Sequence, residues 1–153
     1  MSKNYWHRSR AKLARSHCVR RKRPSAIDLS VGQKRGKENE IAVREVIVET
    51  AGKRGYEWLI GVRQASLEED TVRKRDIFIL IKIKDVVHEI GIQIKSSFMR
   101  ALRFVNRYRR RGIPVIVVPL IDKTIAVIKS LRFILETYIR HGERFPLSFV
   151  AMV

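Results

Sequence analysis

The sequence predicts an α/β domain: a helix, three strands, a second helix and a fourth strand around a mixed sheet, with a further helix toward the C-terminus. Three observations predict it. Apolar residues at 41, 42, 43, 46, 47 and 48 recur at helical spacing, and β-branched runs then dominate from Tyr56 to Ser97. A short unbroken apolar run at 113–118 follows a helical stretch, the pattern of a buried parallel strand reached by a crossover. At 153 residues the chain is long enough to bury one such core.

Each element has its own signals. The first helix opens after Gly36-Lys37-Glu38-Asn39-Glu40 and stops at Gly52, and its wide apolar stripe suits packing on a sheet. On its other face Glu40 and Arg44 form an i,i+4 pair. Tyr56–Ala65 reads as the first strand, and Ser66–Thr71 as an acidic loop. Asp76–Lys84 and Val86–Ser97 read as two strands joined by a tight turn at Lys84-Asp85. Ser97–Arg111 is the second helix, with Phe98, Leu102, Val105 and Tyr108 on its apolar side. Arg100, Arg103, Arg107 and Arg110 form a basic stripe opposite, ended by Gly112. A third helix is expected over Thr124–Arg140, facing inward through Ile128, Leu131, Leu135 and Tyr138. The apolar tail Phe145–Val153 either docks on the domain or serves an oligomer contact, which leaves a homodimer open.

Charge narrows the partner. Thirty-three Lys and Arg against fifteen Asp and Glu give +18, a balance that points to a polyanion such as DNA or RNA. Residues 1–35 form a basic tail with little periodicity, expected to be disordered in isolation, and residues 36–153 form the domain. The tail's densest cluster is Arg20-Arg21-Lys22-Arg23, a source of phosphate affinity, and Tyr5 and Trp6 could stack on bases. Its single cysteine, Cys18, fits a reducing compartment. No apolar run reaches the length of a bilayer span, so no membrane partner is expected. The expected setting is the cytoplasm, in association with the nucleoid, and the Arg- and Ser-rich N-terminus leaves organelle targeting open.

The hairpin carries the chemistry. Gln93 and Lys95 are two apart on a strand and therefore share a face. Antiparallel pairing sets Asp76, at the start of one strand, beside the end of the other. A carboxylate, an amide oxygen and an ammonium then converge, a seat for a divalent cation and a water molecule.

The element order, with Gly36-x-x-x-Glu40, Arg75-Asp76-Ile-Phe-Ile and Gly91-Ile-Gln93-Ile-Lys95-Ser96-Ser97, resembles the PD-(D/E)XK nuclease superfamily. This is the restriction-endonuclease-like fold, with an αβββαβ core, that includes archaeal Holliday-junction resolvases. The likeness covers about Gly36 to Pro119, and its most specific part is an Asp followed seventeen residues later by Gln-Ile-Lys-Ser-Ser. It implies that Asp76 ligates Mg²⁺ or Mn²⁺, that Lys95 stands beside the attacking water, and that Glu40 is the helix carboxylate of the metal site. Gln93 stands where the family usually has an acid, and Arg75 where it often has proline.

Mg²⁺ takes near-octahedral oxygen ligands and keeps several waters, so Asp76, the Gln93 amide oxygen, the Ile94 carbonyl and Glu40 would suffice. The expected activity is metal-assisted hydrolysis of phosphodiesters in DNA, including branched DNA in repair or recombination. Ser96 and the basic stripe would hold the backbone. The alternatives are a nuclease fold that binds nucleic acid without cutting it, DNA ahead of RNA, and a small RNA-associated basic protein.

Overall fold

The structure, a computed structural model, describes residues 26–142 and 144–151, with side chains from Ser30 onward. Arg20, Arg21, Lys22 and Arg23 lie outside the described residues, as do Tyr5, Trp6 and Cys18. The chain divides into two units, Met1–Ser30 and Val31–Val153, and all the described strands belong to the second.

Helix α1 spans Ala26–Thr50, so it opens ahead of the composition break at Gly36 and residues 26–35 are helical. Gly32 and Gly36 each cost about 1 kcal/mol relative to alanine, but glycine keeps its N–H and does not interrupt the ladder. The buried stripe is narrower than the apolar count suggests: Val43, Val46 and Ile47 are inside, whereas Ile41 and Val48 face solvent.

Strand β1 (Leu59–Gln64) follows, and then a five-residue helix, α2 (Leu67–Thr71), where a loop was expected. Ser66 and Glu69 close a capping box at its start, which supplies the otherwise orphaned N–H groups with acceptors. Strands β2 (Ile77–Ile83) and β3 (Val86–Lys95) form the expected hairpin. Lys84 and Asp85 have φ values of 48° and 65°, the left-handed pair that matches the twist of a two-residue hairpin turn.

Helix α3 (Phe98–Arg107) ends sooner than its arginine pattern implies, and Arg109–Arg111 form a 3₁₀ turn. Its buried centre is Ala101 and Phe104, while Phe98 is exposed. Strand β4 (Pro114–Val117), helix α4 (Lys123–His141) and strand β5 (Phe149–Ala151) complete the chain. Of the two roles expected for the apolar tail, docking is realised as far as Ala151.

The result is an α/β fold with a mixed, open five-stranded sheet in the order β1-β2-β3-β4-β5. The first three strands pair antiparallel, and β4 and β5 join in parallel. One sheet face is a layer of isoleucines (Ile77, Ile79, Ile81, Ile90, Ile92, Ile94) packed among α1 and α4 residues. At about 1.5–3 kcal/mol for each side chain fully removed from water, this layer is a large share of the apolar burial that stabilises the fold. The opposite face holds α3 over Val115 at one end of the sheet. Toward the other end it presents Arg63, Phe78, Gly91 and Gln93, because alternate residues share a face. No helix among the described residues is long and apolar enough to cross a membrane.

Candidate functional site

The hairpin register brings Asp76 to the end of β3. Ile77 is paired with Ile92, and the Asp76 N–H donates to the Ile92 carbonyl at 2.8 Å. On the other side the Asp76 carbonyl accepts from Ala65 N–H at 3.2 Å, which fixes the backbone from both flanks. The side chain is then held by two donors on one oxygen. Gln93 Nε2 donates to Asp76 Oδ2 at 2.5 Å and Ile94 N–H donates to the same atom at 2.6 Å. Asp76 and Gln93 are only 7% and 5% exposed, so both are true buried polar groups and need these bonds.

The Gln93 amide has to present its NH₂ to the carboxylate, since two oxygens at that distance would repel. Its Oε1 is thereby left as an acceptor. The Ile94 carbonyl has a determinable direction as well. The neighbouring Lys95 carbonyl accepts from Val118 N–H at 2.9 Å, toward β4. Successive carbonyls of a strand point to opposite sides, so that of Ile94 faces the Asp76 side together with its own N–H.

Four charges share this end of the sheet. Burial pushes the Asp76 carboxyl up, against the lowering effects of the Ile94 N–H, Lys95 and Gln93. Glu40 on α1 is also pushed up, first by burial and then by the fields of Asp76 and Asp70. Lys95 is pushed down by burial, despite the pull of Asp76, Asp70 and Glu40. Among the described residues Lys95 makes no ion pair within 4.0 Å, and its Nζ lies 5.0 Å from the centre of the Phe104 ring. Three carboxylates thus act on one ammonium without a contact pair. Glu38, the other acid before the helix stripe, is exposed; two residues along a helix is more than half a turn, so the two glutamates face apart.

A cleft of about 450 Å³ opens beside these groups, lined by Gln93, Lys95, Asp70, Lys74, Arg103 and Arg107 among others. Arg100 stands at the start of α3, where its N–H donates to the Ser97 hydroxyl and its Nη1 donates to Ser96 Oγ at 3.2 Å. Arg110, expected in the same stripe, is carried off by the 3₁₀ turn and lines a different cleft. The structure therefore joins Asp76, Gln93 and Ile94 by direct contact. Lys95 and Glu40 come within electrostatic reach, and Arg103 and Arg107 border the cleft.

Asp70, Thr71 and Lys74 are the site's neighbours that the linear reading missed. Asp70 sits on α2, and α2 is pinned by Arg63. That guanidinium binds Glu69 through both Nη atoms at 3.0 Å, reaches Glu89 at 2.8 Å and lies 3.9 Å over the Phe78 ring. The signal was present: Ser66-x-x-Glu69 is a capping-box pattern and marks a helix start.

These donors fit a hard, oxygen-seeking cation in chemical type: a carboxylate, an amide oxygen and a backbone carbonyl, with an outer carboxylate on Glu40. Among the described residues no group of three or more His, Cys, Asp or Glu side chains is arranged to hold a metal. Comparison with protein families, curated proteins and solved structures gives no match.

Proposed function

We propose that the chain is a metal-dependent endonuclease of the restriction-endonuclease-like class, hydrolysing phosphodiester bonds of DNA. The observation that carries the reading is the buried Asp76 carboxylate, fixed by Gln93 and Ile94 at the strand end that also bears Lys95. In this reading Asp76, Gln93 Oε1 and the Ile94 carbonyl are the groups that would hold Mg²⁺ or Mn²⁺, and Glu40 would add a carboxylate directly or through water. When bound, the ion acidifies water and offsets charge on the phosphate oxygens. Lys95 orients the attacking water and donates to the charge that grows on the phosphate. Its lowered pKa eases any proton transfer it makes, since less energy separates ammonium from amine. Ser96, Arg100, Arg103 and Arg107 take the backbone on either side of the reacting phosphate, and Arg20–Arg23 add affinity that carries no sequence preference.

A Mg²⁺ and Mn²⁺ titration against duplex, single-stranded and four-way-junction DNA tests the proposal. Nicking is expected to require metal and to vanish in Asp76→Ala and Lys95→Ala while DNA binding persists. Equal cleavage by those variants would overturn it.

One observation favours a second reading, a nuclease fold that binds nucleic acid without cutting. The Asp76 Oδ2 atom is already satisfied by two protein donors, an arrangement that needs no cation. Gln93→Glu separates the two. A carboxylate there restores the family's usual charge and should raise metal-dependent nicking in an enzyme, and should leave a pure binder inert.

A further inference from the structure

Arg75 precedes Asp76 in the chain but serves another cleft. Its aliphatic stem lies across Gly91, where a Cβ would come within 2.7 Å of Arg75 Cδ and 2.8 Å of Phe78 Cε1. Only glycine leaves room for that path. The guanidinium at its end carries a buried Nη1 with no hydrogen-bond partner. A buried donor left unmatched is uncommon enough to call for a cause, and one on a cation costs more than one on an amide.

The surroundings deepen the deficit. Arg75 borders a cleft of about 370 Å³ with Gly91, Arg110, Arg111, Gly112 and Arg144. Arg73 and Arg111 add repulsion to burial, and together the three causes bring Arg75 down to about 10. Arg111 is tied in place: its Nη1 donates to the Val72 carbonyl at 2.7 Å and its guanidinium stacks 5.1 Å from the centre of Tyr108. The carboxylate on the rim, Glu89, is already engaged by Arg63 through Nη2 at 2.8 Å and Nε at 3.1 Å. Gly112 is also required, because a Cβ there would strike the Phe145 carbonyl at 2.2 Å. Among the described residues the cleft is therefore lined by four arginines, one with a buried and unmatched Nη1, and its one carboxylate, Glu89, is already paired.

We propose that this Arg75 cleft seats a backbone phosphate of the bound nucleic acid, apart from the cleft that holds Lys95. A phosphate offers paired acceptor oxygens to the planar guanidinium fork and removes the mutual repulsion of the arginines. Nucleic acid is the favoured source because the 3₁₀ turn links the two clefts. Tyr108 borders the Lys95 cleft, and Arg110 and Arg111, on the turn just beyond it, border this one. The assignment rests on the nucleic-acid reading above but not on cleavage.

The test uses the full chain in EDTA, so that no reaction is needed. Binding to labelled duplex and four-way-junction DNA is followed by anisotropy over a salt series. Arg75→Gln should weaken binding about tenfold and flatten the log–log salt slope by about 0.9, the value of one lost phosphate contact. Gly91→Ala should reproduce the loss at unchanged net charge, because the added methyl displaces the Arg75 stem. Lys53→Gln, removing an exposed charge elsewhere, should leave the affinity within about twofold. An Arg75→Gln protein indistinguishable from Lys53→Gln would overturn the proposal. Thermal melts with inorganic phosphate give the second readout: the anion should raise the Tm of wild type and of Asp76→Ala, but not of Arg75→Gln. Phosphate stabilisation without DNA binding would overturn the nucleic-acid assignment in favour of a small phosphorylated ligand. Absent cleavage with intact Arg75-dependent binding would remove the catalytic reading and support the phosphate seat.

Discussion

Two polar assemblies sit on neighbouring parts of the sheet and are balanced in opposite ways. Around Arg63 the charges are partly exposed and matched, one guanidinium serving Glu69 and Glu89 and leaning on Phe78. Around Asp76, itself buried, they are unmatched, with half-buried Glu40 and Lys95 and exposed Asp70 in one another's fields and no contact pair with Lys95 among the described residues. Adjacent residues of one short helix, Glu69 and Asp70, belong to different assemblies. The first spends its charge on holding the structure. The second leaves its charges without contact pairs, a pattern that functional sites share.

The largest expected effect breaks the reserved side alone. Asp76→Asn keeps the shape and hydrogen-bonding capacity of the side chain but removes the anion, and metal-dependent nicking of supercoiled plasmid should fall by about a hundredfold or more. The same change should not harm the metal-free fold. Because the folded pKa of Asp76 is raised above its ordinary 3.8, its protonated form contributes stability below that value, and this is lost as pH rises through the raised pKa. Asp76→Asn in EDTA should therefore melt at or above the wild-type temperature at neutral pH, with the gain fading in acid.

Breaking the matched side should give the reverse pattern. Arg63→Met should lower Tm by roughly 2–5 °C at neutral pH, a modest figure because both partners are partly solvated. Glu69 is held down to about 2 from an ordinary 4.5 by Arg63 and the Ser66 N–H, and Glu89 is lowered by Arg63. A lowered folded pKa means that the contribution is complete above pH 4.5 and is lost as pH falls through about 2. The Tm difference between Arg63→Met and wild type should accordingly shrink over that window. A difference constant with pH would show that Phe78 stacking, not ion pairing, is what Arg63 provides.

The smallest effect is a control that touches neither assembly. Lys84 has φ of 48°, which asparagine adopts more readily, so Lys84→Asn should stabilise by about 0.5 kcal/mol in urea unfolding. DNA cleavage and binding should be unchanged.

The hairpin and its register were legible in the sequence because alternation has period two and the Lys84-Asp85 break leaves one way to fold back. With the register come Asp76, Gln93 and Ile94 as contacts. The reach of α1 was not legible, since Gly36 and the charge-rich run before it read as a boundary although a helix tolerates glycine. The α3 stripe was misjudged at Arg110 because a 3₁₀ turn advances fewer residues per turn than an α-helix and re-aims the side chain. Asp70 was hidden for a different reason. Its place depends on Arg63 and Glu89, distant in the chain, and no local pattern encodes such a partnership.

Ser148 has a consequence for how the molecule comes together in time. Its hydroxyl donates to the Tyr108 carbonyl and accepts from Ile113 N–H, both at 2.8 Å, stitching the final strand to the turn that carries Arg110 and Arg111. The meander of β1 to β3 closes through the link that carries α2 and a tight turn, whereas the parallel pairings need longer crossovers built on α3 and α4, a costlier kind of loop closure. Closing the acidic end of the sheet thus takes shorter loops than closing the flank that carries Arg110 and Arg111. The turn bearing Arg110 and Arg111 is therefore tied down only once the Phe149–Ala151 strand has docked on β4.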